Sequence, residues 1–317
     1  MAANPQRVDV HHHMFPTPYL ARERDRLMAR LGVNPAPLLA WTPARSVEEM
    51  DKHGIATAIA SISTPGIWFG DNRAACDLAR ECNEYAARMV QDHPGRFGFF
   101  AATPLPDPDG SLREIEYALD VLKADGVGLL TSYDDRWPGD PAFFPVFEEL
   151  NRRRAVVFIH PTAPACCRNL TIGIPPAITE FLFDTTRAIS SLLFNGVLSR
   201  CSDIRFIFCH CGGTMTVLAH RMADFGARQP EVAERLPNGV LYELKRLHFD
   251  IANATYAPNF AAIRALIPLS QMLFGSDYPF VPMEATTGGI PQLGLPVEQW
   301  RAIDRDNALR LLPRLRG

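Results

Sequence analysis

The chain has 317 residues, with 32 Lys and Arg against 35 Asp and Glu, for a formal net charge of −3. Its 47% hydrophobic and 21% charged content is that of an ordinary globular protein, which excludes disorder as the main state. The near balance of charge leaves no electrostatic footprint for nucleic acid or an anionic membrane, so neither is an expected partner.

Apolar runs rich in Val, Ile and Phe recur along the chain, each followed by a stretch of helical period. They read as strands at Arg7–His13, Ala56–Ile62, Phe97–Pro104, Gly126–Ser132, Ala155–His160, Ile204–His210, His248–Asn253 and Met272–Asp277. The first connection is long. Met14–Arg45 carries Pro16, Pro18, Pro35, Pro37 and Pro43, with Arg22–Leu31 as a short helix; such an insertion reads as a lid, a pocket wall or an oligomer contact. Further on, Arg73–Gln91 places Cys76, Ala79, Cys82, Ala86 and Met89 on one helical stripe. Ser111 reads as an N-cap, with Glu114 three residues later, before Ile115, Leu119 and Leu122. Phe143–Arg153, Glu180–Leu198 and Pro296–Leu312 are read as helices too.

Eight alternations over this length predict an α/β fold, a (β/α)₈ TIM barrel forming a single domain over residues 1–317, with 14–45 inserted after the first strand. Alternation alone also fits a doubly wound open sheet, but no GxGxxG or GxxxxGKS/T fingerprint follows any strand. No apolar run approaches the roughly 20 residues of a membrane-spanning helix, and no export signal opens the sequence. The 7 cysteines form no paired CxxC motifs; Cys209 and Cys211 flank His210 and read as packing residues facing away from it. Free thiols point to a reducing compartment, so a cytoplasmic location is expected.

The chemistry gathers at strand ends. In Asp9-Val10-His11-His12-His13, residues two apart face the same way, so His11 and His13 project together and His12 opposite. Two such imidazoles form half of a metal site. His160, His210 and Asp277 each close an apolar run. A lone strand-end His is usually a hydrogen-bonded core residue. Polar residues at four strand ends, converging on the C-terminal mouth of a barrel, form a catalytic constellation.

These motifs resemble a known family. Asp-x-His-x-His near the start, His-Pro after strand five, Cys-His-x-Gly-Gly after strand six and Gly-Ser-Asp-Tyr-Pro-Phe after strand eight are similar to the amidohydrolase-related, metal-dependent decarboxylases. Met50-Asp51-Lys52-His53-Gly54-Ile55 and Thr185-Thr186-Arg187 extend the likeness, which is greatest to the 6-methylsalicylate decarboxylases. The resemblance implies that His11, His13, His160 and Asp277 hold one divalent ion, Zn²⁺ first and Mn²⁺ second, in keeping with imidazole and carboxylate donors. A second ion is not expected, because Leu129-Leu130-Thr131-Ser132 ends strand four without the bridging Lys of binuclear relatives. His210 is implied as the proton shuttle and, with Asp277, as catalytic.

The implied reaction is non-oxidative loss of CO₂ from a small phenolic or unsaturated carboxylic acid; the alternative is metal-dependent hydrolysis of a lactone or amide. Arg187 and Arg45 are candidate carboxylate contacts, although Arg45 is offset by about one position from the family's pattern. Phe15, Trp41, Trp68 and Phe280 could sandwich a flat ring. Asp250 could orient His210 or an Arg. A homodimer is the default assembly.

Overall fold

A computed structural model describes residues 6–31, 35–167, 170 and 172–316. Eight parallel strands run in sequence order around a barrel: β1 (Arg7–His13), β2 (Ile55–Ser61), β3 (Phe97–Ala102), β4 (Gly126–Leu130), β5 (Val156–His160), β6 (Arg205–Phe208), β7 (His248–Asp250) and β8 (Met272–Leu273). The last joins the first through Val10 N–H, which donates to Phe274 O at 3.0 Å. The (β/α)₈ barrel read from the alternation is therefore the fold, and the open sheet is not.

Period-2 patterning explains the two apolar layers. Val8, Val10, Ile59, Phe100, Val156, Phe158, Ile207 and Leu273 fill the barrel interior. Their neighbours Ala58, Ala60, Phe99, Ala101, Val157, Ile159 and Phe208 face outward into the shell of helices. The first connection folds largely as helix: α1 (Thr17–Leu31), α2 (Ala36–Leu39) and α3 (Pro43–Lys52). It is anchored by buried Met14, Phe15, Tyr19, Leu27, Leu38 and Trp41. The start of α3 follows the sequence rule, with Thr42 accepting from Arg45 N–H at 3.2 Å and Pro43 at the first helical position.

The strand ends differ from the sequence reading. β3, β4, β6, β7 and β8 stop two to four residues early, and beyond three of them His210, Asn253 and Asp277 take positive φ (54°, 53° and 63°), which ends regular pairing. Helix α4 (Asn72–Asp92) begins at an Asp71 cap and buries Ala79, Cys82, Ala86 and Met89 of the predicted stripe, with Cys76 half-buried at its start. Ser111 is not a cap. The helix α5 (Pro108–Glu116) begins at Asp107, whose carboxylate accepts from Gly110 N–H at 3.1 Å, and Ser111 lies inside it donating to Asp107 O. Pro108 decides the matter, since proline favours the first helical position. No helix among the described residues is long and apolar enough to cross a membrane.

Replacing Asp107 by Ala should lower the unfolding free energy by about 1 kcal/mol, read as a shift of the urea midpoint without a change in slope. A smaller effect than that of Ser111→Ala would contradict the cap assignment.

Candidate metal centre and active site

Strand phase alone does not aim the site. Val8 and Val10 point into the barrel, so an uninterrupted pleat would send His12 after them. Instead the pairing of β1 with β2 slips between Asp9 and His12. That slip turns His11 inward, its ring edge-on to Phe158 at 5.2 Å. On β5, His160 simply continues the inward phase of Val156 and Phe158. After β6, Cys209 follows Ile207 into the barrel interior, where Sγ donates to Ile159 O at 3.3 Å. Cys209 therefore lies beside His11 in the floor of the site rather than facing away, and only Cys211 packs outside.

His210 reaches the same mouth as Cys209 because its left-handed backbone re-aims the chain, and Asp277 does likewise after β8. Such non-glycine conformations cost about 1–3 kcal/mol each and cluster where function requires them. Gly275 permits the close approach, since a Cβ there would lie 2.7 Å from that of His11.

One donor atom from each of His11, His13, His160 and Asp277 lies within 4.8 Å of the others, and all four residues are buried. His11 Nε2 is 3.0 Å from His13 Nε2, and Asp277 Oδ1 is 3.3 Å and 3.2 Å from the two. Donors bound at about 2.0–2.1 Å around a tetrahedral zinc would lie about 3.3 Å apart. The spacing fits one divalent ion. Protonation suits it as well. Burial lowers His13 to about 4 and His160 well below its ordinary range, leaving both imidazoles neutral. Burial opposes ionisation of Asp277, but His11, His13 and His210 hold its carboxyl well below the usual range. His11 is the exception: against the effect of burial, Cys209, Asp250 and Asp277 raise it well above its ordinary value. A proton and a cation would compete for its Nε2.

The supporting contacts fix each ring. His11 Nδ1 donates to Asp250 Oδ2 at 2.9 Å, and His160 Nδ1 to Pro161 O at 2.8 Å. Ser61 Oγ meets His13 Nδ1 at 3.2 Å, and Ser63 Oγ lies 3.4 Å from His160 Nε2. Asp250, read as orienting His210 or an Arg, orients the His11 ring and holds His210 by its backbone. Its second oxygen accepts the backbone N–H of His210 at 3.0 Å, and it is too deeply buried to line a substrate pocket. His210 presents Nε2 at 3.4 Å from Asp277 Oδ2.

A cavity of ≈ 440 Å³ opens over this cluster. His160, His210 and Asp277 meet Ser63, Thr64, Asn253 and Tyr256 there, and Ile178, Phe181, Leu182, Phe280 and Val281 supply apolar walls. Of the ring-binding candidates, Phe280 lines it, edge-on to His13 at 5.2 Å, and Phe15 backs Phe280 at 5.7 Å. The others lie elsewhere. Trp41 is buried on the outer side of β1, donating to Ser46 Oγ at 2.9 Å. Trp68 donates to Asn72 and lines a separate cavity of ≈ 200 Å³. Arg45 is exposed in the first turn of α3 and donates to Ala40 O. Arg187 belongs to helix α6 (Pro176–Phe194), three residues past Asp184, whose carboxylate it faces at 3.7 Å. That spacing puts it on a different face from Ile178 and Phe181, in a groove with Trp137 and Phe183. Ser61, Ser63, Phe181 and Leu182 carry no motif of their own in the sequence, where the hydroxyls ending the second strand are the one signal.

A family model described as amidohydrolase matches residues 8–314. The chain belongs to the amidohydrolase family. Its relatives include decarboxylase yanB of Aspergillus niger, 36% identical over 97% of this chain and 88% of that protein. The 6-methylsalicylic acid decarboxylase of Penicillium expansum is 34% identical over 98% of this chain and 97% of its own length. A dihydroxybenzoic acid decarboxylase from Polaromonas, solved with manganese and the inhibitor 2-nitroresorcinol, shares the fold. Its TM-score is 0.84 at 20% identity, covering 99% of this chain and 98% of that one.

In this amidohydrolase, Asp250→Asn removes the charge behind His11 and should weaken metal retention about 10–100-fold. In the parent, retention should fall as pH is lowered, because protons compete with the cation for His11 Nε2, which holds its proton more tightly than an ordinary imidazole. Equilibrium dialysis with elemental analysis measures both; retention independent of pH would show that His11 is not a ligand.

Proposed function

We propose that this amidohydrolase is a metal-dependent, non-oxidative decarboxylase of a small phenolic carboxylic acid of the 6-methylsalicylate or dihydroxybenzoate type. The observation that carries the reading is the convergence of three imidazoles and one carboxylate, with His210 beside them, on an apolar cavity of ring size. The activities of the relatives favour decarboxylation over hydrolysis of a lactone or amide.

His11, His13, His160 and Asp277 would hold the ion. A divalent cation there would supply Lewis-acid chemistry and neutralise the charge of a bound acid. Phe181, Leu182, Phe280 and Val281 hold the flat ring and exclude water. His210 delivers a proton to the ring carbon that bears the carboxylate, interrupting aromaticity. Cleavage of the C–C bond returns its electrons to the ring, restores aromaticity and releases CO₂. Asp277, 3.4 Å from His210, orients the shuttle as well as ligating.

We place zinc first because the donor set is rich in imidazole, with manganese, the ion of the Polaromonas relative, as the alternative. The proposed assembly is a homodimer, supported by exposed Ile174, Ile178 and Phe183. Seven free cysteines support a cytoplasmic location. The 14–45 connection acts as a pocket wall, with Phe15 bracing Phe280.

Assaying CO₂ release from 6-methylsalicylate, 2,6-dihydroxybenzoate and salicylate, with metal analysis of the same sample, tests the reading; a ring-opened acid as the product of a lactone would favour the hydrolase. His11→Ala should lose metal and turnover together. His210→Ala should keep the metal and lose about 10²–10⁴-fold in kcat. A near-normal rate in that variant would mean that another group donates the proton.

A further inference from the structure

One imidazole on β1 has no part in this chemistry. His12 is fully buried on the outer face of the strand, stacked on Tyr278 with ring centroids 5.2 Å apart. Its Nε2 lies 3.0 Å from Ser46 Oγ and its Nδ1 3.2 Å from Asp9 Oδ2. Ser46 also receives the indole N–H of Trp41 at 2.9 Å. A carboxylate can only accept, so His12 donates to Asp9 through Nδ1, and a neutral ring then takes the Ser46 hydroxyl proton at Nε2. Every hydrogen bond in the row has one direction.

Asp9 is where the row ends and the metal centre begins. Its Oδ1 accepts the backbone N–H of His11 at 3.1 Å and of Ser276 at 2.9 Å. Its Oδ2 accepts the Ser276 hydroxyl at 2.6 Å in addition to His12. One buried carboxylate thus clamps the strand bearing His11 and His13 to the segment bearing Asp277. Two backbone bonds run parallel to the clamp, from Asp277 N–H to His11 O at 2.8 Å and from His13 N–H to Tyr278 O at 2.8 Å.

Packing alone does not call for histidine here. An apolar ring would fill the space between Phe97 and Tyr278 without the cost of burying two polar nitrogens. We propose that His12 is a positioning residue for the metal centre. It ties Trp41 and Ser46, in the long first connection and α3, to Asp9, and so sets the distance between the His11–His13 pair and Asp277. This inference rests on the ligand assignment proposed above.

His12→Phe keeps a ring and removes both hydrogen bonds. The parent and variant, each loaded with Co²⁺, are compared by chelator competition and by the visible absorption of the bound ion, with denaturation of the apoproteins alongside. The variant should hold cobalt about 10–100-fold more weakly, with a changed absorption band; Ser46→Ala should shift both in the same direction by less. A role in packing alone would lower apoprotein stability and leave band and affinity unchanged, so cobalt affinity within about twofold of the parent overturns the proposal. Should His12→Phe fail to fold, Ser46→Ala and Trp41→Phe decide, since they shorten the row without altering the strand: parent-like affinity in both overturns it. A parent chain that holds no cobalt in the same assay refutes the ligand assignment instead.

Discussion

Four donor groups are held at mutual contact inside a water-poor barrel mouth, and much of the surrounding backbone exists to permit it. Imidazole nitrogens 3.0 Å apart do not assemble by hydrophobic burial, which favours apolar side chains at those positions. Three aspartates offset the cost. Asp250 holds the far side of His11, Asp277 sits among the rings, and Asp9 takes the backbone N–H groups at the seam between β1 and β8. Each carboxylate spends its oxygens on several donors, so its own burial is compensated. The apolar layers beneath, Phe158 and Phe100 stacked at 5.2 Å, form a rigid floor that lets such polar groups keep one arrangement.

The barrel itself was legible because it depends on a pattern repeated eight times, and no single misread boundary can erase the pattern. The strand ends were less so. Alternation correctly pairs His11 with His13, yet it is silent on whether that pair faces in or out. The answer depends on the slip between Asp9 and His12, which is fixed by β2, and on Ser276 and Asp277, more than 260 residues away. His210 and Cys209 are adjacent and both face the site, which no period-2 argument allows. A left-handed residue makes it possible. His160 is the one end where phase and function agree, and there the sequence needed no correction.

The substrate contacts were the least legible, for a related reason. Residue type and nearness in sequence to a motif are all that single out Arg45, Arg187, Trp41 and Trp68, and the helical shell distributes such residues around the whole circumference. Arg187 shows it well. Helix α6 lines the cavity with Ala177, Ile178, Phe181 and Leu182, and a further turn carries Arg187 round to Asp184. The reading of Ser111 as a cap fails on a local rule that the sequence carries: Pro108 favours the first helical position, which makes Asp107 the cap.

Among the described residues lining the cavity there is no Lys or Arg. An aromatic carboxylate entering walls of Ile, Leu, Phe and Val loses hydration, and His210 alone cannot compensate both that charge and a phenolate. The charge balance of the mouth therefore falls on the His11, His13, His160 and Asp277 cluster, where a divalent ion in place of the His11 proton would leave three neutral imidazoles, one anion and a net positive charge. Binding and chemistry then share one centre. It follows that changes to its spacing, such as those transmitted through Asp9, should register in substrate affinity as well as in turnover. On the proposed function, the apolar walls would sort ring substituents, while a cation within the cluster would admit the acid.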